Sequence, residues 1–132
     1  MMGTVVAGGV AEAPVTSLRV EGRGPVTLVG PLEGELRRLN GATITVAGGL
    51  AAGQPNAFSV SRYEIVTVDG ARPFVGTLVS RAGGFSLAGA DTLRLASVPA
   101  ALQAKPGAKV WVVGRRSGAE LTVQSYGVLR EP

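Results

Sequence analysis

The chain of 132 residues contains no cysteine and no histidine. The first absence excludes disulfides and a thiolate nucleophile; the two together exclude the usual zinc ligands and imidazole bases. Any chemistry would fall to carboxylates, hydroxyls or lysine, and no cofactor is expected. The lack of cysteine does not assign a compartment, because reducing and oxidising surroundings both tolerate it. No run of apolar residues reaches the length of a membrane-spanning helix, so no transmembrane segment is expected. The N-terminal stretch MMGTVVAGGVAEAP is apolar but lacks the basic start of a signal peptide, and it reads as a strand.

Charge is also scarce, at 17% of residues against 45% hydrophobic, which places the chain far from the disordered regime. Twenty glycines and eight prolines without a strict period imply many turns between short strands. The net charge of +4 is unevenly spread. Residues 1–70 hold five arginines and six acids, whereas residues 71–132 hold eight Lys/Arg and three acids. A basic half-molecule attracts phosphate backbones or anionic surfaces, although the same residues also serve solubility.

Two stretches follow one plan. Residues 41–66, GATITVAGGLAAGQPNAFSVSRYEIV, and 107–129, GAKVWVVGRRSGAELTVQSYGVL, each open with Gly-Ala and an alternating strand ending in glycine. A polar loop follows, and then a strand of the form apolar-Ser/Thr-Val-x-x-Tyr-x-apolar-apolar. Upstream, Gly3-Thr4-Val5-Val6 resembles Gly76-Thr77-Leu78-Val79, and each approaches a Gly-Gly pair. Leu18 and Val20 line up with Phe85 and Leu87 at strand period, and the loop before this point is longer in the first copy by about six residues, Val10 to Thr16, an ordinary insertion or a binding loop. Val26-Thr27-Leu28 parallels Leu93-Arg94-Leu95. Pro31 and Pro99 each introduce a short helix, the first marked by Leu32, Leu36 and Leu39 at helical spacing.

The chain is therefore a duplication, with copies at 1–69 and 70–132. The order strand, strand, strand, short helix, strand, strand resembles the OB-fold, a five-stranded Greek-key barrel with a helix between strands three and four. The expected fold class is all-β: two tandem five-stranded OB-like barrels, the second of them basic. In the fifth strands the apolar parity switches, which predicts a bulge near Arg62 and near Ser125 that returns the apolar residues to the core. Tyr63 and Tyr126 then sit half-buried, their hydroxyls reaching water or backbone.

Comparing the copies separates what a barrel needs from what differs. On the fourth strands Ile44 and Val46 match Val110 and Val112 as inward residues. The opposite face reads Thr43, Thr45, Ala47 in one copy and Lys109, Trp111, Val113 in the other. Trp111, the only tryptophan, thus points away from its own core within the most basic strand-loop-strand unit. An outward aromatic flanked by cations suits single-stranded nucleic acid, because bases stack on the ring while cations neutralise the backbone.

The OB resemblance implies ligands on the face of strands two and three and at the loops after strands one and four. Those places hold Ser86 and Arg94, Arg81, and Arg115-Arg116. The candidate site is accordingly Arg81, Arg94, Lys109, Trp111, Arg115 and Arg116. Against it, aromatics are only 5% of the chain, and single-strand binders usually show several.

The other reading makes Trp111, with Val113 beside it, a plug between barrels or between protomers of a homo-oligomer, in a structural or protein-interaction module such as the cell envelope uses. A glycan or peptide ligand stays open as a third. Catalysis is not expected. Glu33 and Glu35 open the first helix, where they complement its dipole, Asp69-Gly70 and Asp91-Thr92 read as turns, and no nucleophile or phosphate-cradling motif occurs.

Overall fold

The computed structural model describes residues 1–10, 13–50, 53, 57–81, 83–89 and 91–132. The chain divides into two compact units, Met1–Arg72 and Pro73–Pro132. The first contains β1 (Met2–Val10), β2 (Ala13–Arg19), β3 (Val26–Val29), α1 (Glu33–Arg37), β4 (Thr43–Leu50) and β5 (Ala57–Thr67). The second contains β6 (Phe74–Arg81), β7 (Gly84–Ala88), β8 (Thr92–Ala96), α2 (Ala100–Gln103), β9 (Lys109–Ser117) and β10 (Glu120–Arg130). The protein is mostly β, and the two helices are short.

Each sheet closes into a five-stranded barrel, in the order β1-β2-β3-β5-β4 and, equivalently, β6-β7-β8-β10-β9. In both, the third strand runs parallel to the fifth while every other pairing is antiparallel. A parallel closure needs a crossover, and in each copy the helix lies within it. Closure leaves no unpaired edge.

Register fixes which residues correspond. Gly3 pairs with Ile44 and Gly76 with Val110; Val5 pairs with Leu18 and Leu78 with Leu87. Leu36 and Leu102, one from each helix, are fully buried and stop the barrel interior. The second core gathers Leu78, Leu87, Leu93, Leu95, Leu102, Val110, Val112 and Leu121, with Phe74, Phe85 and Tyr126 packed against it. Burying one such aliphatic side chain stabilises by about 1.5–3 kcal/mol, so alternate positions along every strand hold each barrel together.

The predicted bulges are present. Pairing of β4 with β5 skips Ser61, between Ala47↔Arg62 and Gly48↔Val60, and pairing of β9 with β10 skips Gln124, between Gly114↔Val123 and Val113↔Ser125. Beside each bulge the strands approach so closely that a Cβ on Gly48 would overlap the Ser59 carbonyl, and one on Gly114 the Thr122 carbonyl. Glycine is therefore required at both places. Beyond the bulges Tyr63 pairs with Val46 and Tyr126 with Val112, so the two tyrosines occupy equivalent sites.

Three expectations need correction. Leu18 corresponds to Leu87 by register, not to Phe85, so the alignment of the second strands slips by two residues. A period-2 pattern looks the same after such a slip, which is why sequence alone did not resolve it. The insertion expected over Val10 to Thr16 is not a loop either. Residues 11 and 12 lie outside the described residues, but pairing continues to Val10↔Ala13, so the extra length extends the β1–β2 hairpin.

Finally, the Tyr63 hydroxyl donates to Glu35 Oε1 at 2.7 Å, a carboxylate rather than water or backbone. Glu35 is buried on α1, and its place in α2 is taken by Ala101. One turn away, Arg37 Nη2 donates to both carboxylate oxygens of Glu33, at 2.6 Å to Oε1, while the Thr16 hydroxyl donates to the same oxygen at 3.1 Å. The Arg37 hydrogen bond holds the Glu33 carboxyl below its ordinary range, with Thr16 assisting and partial burial opposing.

A candidate binding face on the second barrel

The cationic side chains of the second unit are placed by strand parity. On β8, Leu93 and Leu95 are buried, so Arg94 between them projects outward and is exposed. Ser86 pairs with Arg94 across β7, and on β6 the parity of buried Leu78 turns Val79 and Arg81 to the outer surface. Arg81 pairs with Gly84 at the end of the β6–β7 hairpin, where Gly83 takes a φ of +79°, a conformation that glycine adopts without strain.

Arg81, Gly83, Gly84, Phe85, Ser86 and Arg94 together line an open concavity of about 360 Å³. Phe85 is half-buried, packing on the core while it also lines this space. Neither the Arg81 nor the Arg94 guanidinium has a hydrogen bond or ion pair among the described residues. Two unpaired guanidiniums beside a serine hydroxyl can take a phosphate.

On the other side of Arg94 lies β10. Glu120 is its parallel neighbour, and the Arg94 amide donates to the Ala119 carbonyl at 2.8 Å, tying the β9–β10 turn to β8. Arg115 pairs with Thr122 on the same outer face, two residues further along β10. Like that of Arg94, its side chain is exposed and has no hydrogen bond or ion pair among the described residues.

The other predicted site residues lie elsewhere. Arg116 has the parity of buried Leu121. Its Nε donates to the Gly118 carbonyl at 2.9 Å, and Nη1 stands 3.8 Å from Asp91 Oδ2. It lines a separate cavity of about 220 Å³ above Leu87 and Leu93. Lys109 sits between Thr77 and Arg130.

Trp111 does face outward, half-buried, with Val75 on one neighbouring strand and Gly127 on the other. Its indole covers Gly127: a Cβ built there would come within 2.5 Å of Cε2 and 2.7 Å of Cζ2. The structure thus brings Arg81 and Arg94 together, sets Arg115 on the adjoining strip, and seats Trp111 and Lys109 on a different part of the outer surface.

Sequence reasoning missed Phe85, Glu120 and Gly127. Gly127 could have been found from the strand-five repeat, where the first copy has Tyr63-Glu64-Ile65 and the second Tyr126-Gly127-Val128. Thr45 pairs with Glu64 in one barrel and Trp111 with Gly127 in the other, so the pair changed as a unit.

The matching face of the first barrel has a different character. Gly8, Val15, Ser17 and Thr27 stand where the second has Arg81, Gly84, Ser86 and Arg94, and Val6 and Val15 beside them are 38% and 44% exposed. At these four positions only the second copy carries charge; the first copy's outward cation, Arg19, lies two residues further along β2, where the second copy has Ala88. Among the described residues no group of three acids gathers as a metal site, and no helix is long and apolar enough to cross a membrane. Compared with protein-family models, with curated proteins and with solved structures, the chain matches none.

Proposed function

We propose that the protein is a non-enzymatic binding module that takes single-stranded nucleic acid on the β7–β8 face of its second barrel. The observation that carries this reading is the concavity in which exposed Arg81 and Arg94, their guanidiniums unpaired among the described residues, flank Ser86 and Phe85. Phosphates go to the guanidiniums, Arg115 extends the cationic track, and a base enters the concavity beside Phe85. An OB-like barrel offers this same face and these loops to oligonucleotides, which agrees with the placement.

The test is fluorescence anisotropy of a labelled single-stranded oligonucleotide at several salt concentrations. Affinity should fall with salt, by about 0.7 in logarithmic slope per phosphate neutralised. Arg94→Ala and Arg81→Ala should each weaken binding about tenfold or more, the loss of one charge-assisted hydrogen bond. Each should also flatten the slope. Absence of binding at low salt refutes the proposal.

A second reading has its own support. The strip of Val75, Trp111 and Val113 is apolar and lies apart from the arginine concavity, as a protein contact would. On that reading Trp111→Ala changes the oligomeric state in light scattering and leaves oligonucleotide affinity as it was. An unchanged oligomeric state removes it.

A further inference from the structure

We infer that Glu120 makes the β7–β8 face selective for cytosine and adenine, whose amino groups stand at N4 and N6, over thymine and uracil, which carry a carbonyl in that position. The inference rests on the nucleic-acid reading above and concerns the same site. Ser86, Arg94 and Glu120 form one row across β7, β8 and β10, on neighbouring strands about 4.8 Å apart. Glu120 is held in that row by the Arg94–Ala119 backbone bond, so its carboxylate is positioned by sheet rather than by a free loop.

Its carboxylate forms no hydrogen bond or ion pair with Arg94, or with any other described residue. Its acceptor capacity is therefore unspent. A carboxylate repels phosphate, so a strand lying along Arg81, Arg94 and Arg115 must present a base to Glu120 and keep its backbone on the arginines. An ionised carboxylate only accepts hydrogen bonds, and the base has to donate. The N4 amino group of cytosine and the N6 amino group of adenine donate in this way, as in the pairing of Glu with cytosine in duplex readout. Thymine and uracil have a carbonyl in that position, which sets oxygen against oxygen, and their single N3–H donor is flanked by two carbonyl oxygens that repel the carboxylate.

The first barrel has no counterpart, because Ala57, buried, stands beside Thr27 in the corresponding pair. The carboxylate and the two arginines of the concavity therefore belong to the same copy, as expected of parts of one site.

The experiment compares oligodeoxycytidine, oligodeoxyadenosine and oligothymidine of equal length at neutral pH and low salt, on the full chain and on Glu120→Gln. Wild type should bind the cytidine and adenosine strands at least about fivefold more tightly than thymidine, the low end of discrimination by one base contact. Glu120→Gln, whose amide both donates and accepts, should bring the three within about twofold of each other. Equal affinities in the wild type overturn the inference while leaving nucleic-acid binding intact. So does a Glu120→Gln variant that binds every strand more tightly by the same factor, the result of a carboxylate that only trims local charge. If no strand binds at low salt, the reading of the face fails and the inference falls with it.

Discussion

Gly127→Ala isolates the seating of Trp111. The backbone at Gly127 is ordinary for a strand, so with open space above it alanine would stabilise by about 0.5–1 kcal/mol through lost chain entropy. Space is not open. The new methyl would stand 2.5 Å from indole Cε2 where contact begins at about 3.5 Å, so the ring must lift by roughly 1 Å. Overpacking of this kind costs about 1–3 kcal/mol.

The net expectation is destabilisation by about 1–2 kcal/mol, or roughly 5–15 °C in the melting temperature of a barrel this size. Thermal unfolding followed by circular dichroism measures it, and a red shift of Trp111 emission should accompany it. In a Trp111→Thr background, which carries the first copy's residue, the same alanine should become neutral or stabilising. That non-additivity measures the contact itself. If Gly127→Ala raises stability with Trp111 in place, the ring does not lie on the glycine and the pairwise reading of the two copies is wrong.

The two tyrosines give a paired prediction. Tyr63→Phe removes the donor to buried Glu35 and should cost about 1.5–3 kcal/mol. Tyr126 has no hydrogen-bonded partner among the described residues, and Tyr126→Phe should stay within about 0.5 kcal/mol in urea denaturation. Gly114→Ala should be among the most damaging single changes in the second barrel, about 2 kcal/mol or more by thermal melting, since its methyl would overlap the Thr122 carbonyl.

Acid should act through Glu33. Its carboxyl is lowered in the folded state from the ordinary 4.5, so the unfolded chain takes up the proton first. The contribution is present in full above that value and is lost as pH falls through the folded pKa. Urea midpoints followed from neutral pH downward should decline in this window, and Glu33→Gln should flatten the decline.

The repeat was legible because both barrels impose the same local demands. Glycine stands at Gly3 and Gly76 where a Cβ would meet the backbone of the second strand, and at Gly48 and Gly114 beside the bulges. Apolar residues alternate, and a tyrosine follows each bulge. These are constraints on single positions, and sequence records them directly.

The site was legible only in outline. Arg81 and Arg94 stand 13 positions apart, and nothing in their spacing says that a hairpin turn and a strand-to-strand register bring them to one concavity. The same register carries Trp111 and Lys109 to a separate strip and hands Arg116 to Asp91 and Gly118. Glu120 escaped notice because its importance comes from a parallel neighbour on β8, a partner that local sequence cannot reveal. The slip in the second strands has the same origin, since hydrophobic alternation fixes which face a residue occupies without fixing its height along the strand.

The most direct measurement of the central claim is an amide chemical-shift map of the full chain titrated with a single-stranded oligonucleotide at low salt. The perturbed amides should gather on Gly83, Gly84, Ser86, Arg94 and Glu120, with little change at Gly8, Ser17 and Thr27, which hold the equivalent places or their neighbours in the first barrel. Shifts gathered instead around Val75, Trp111 and Gly127, or spread equally over both barrels, would contradict it.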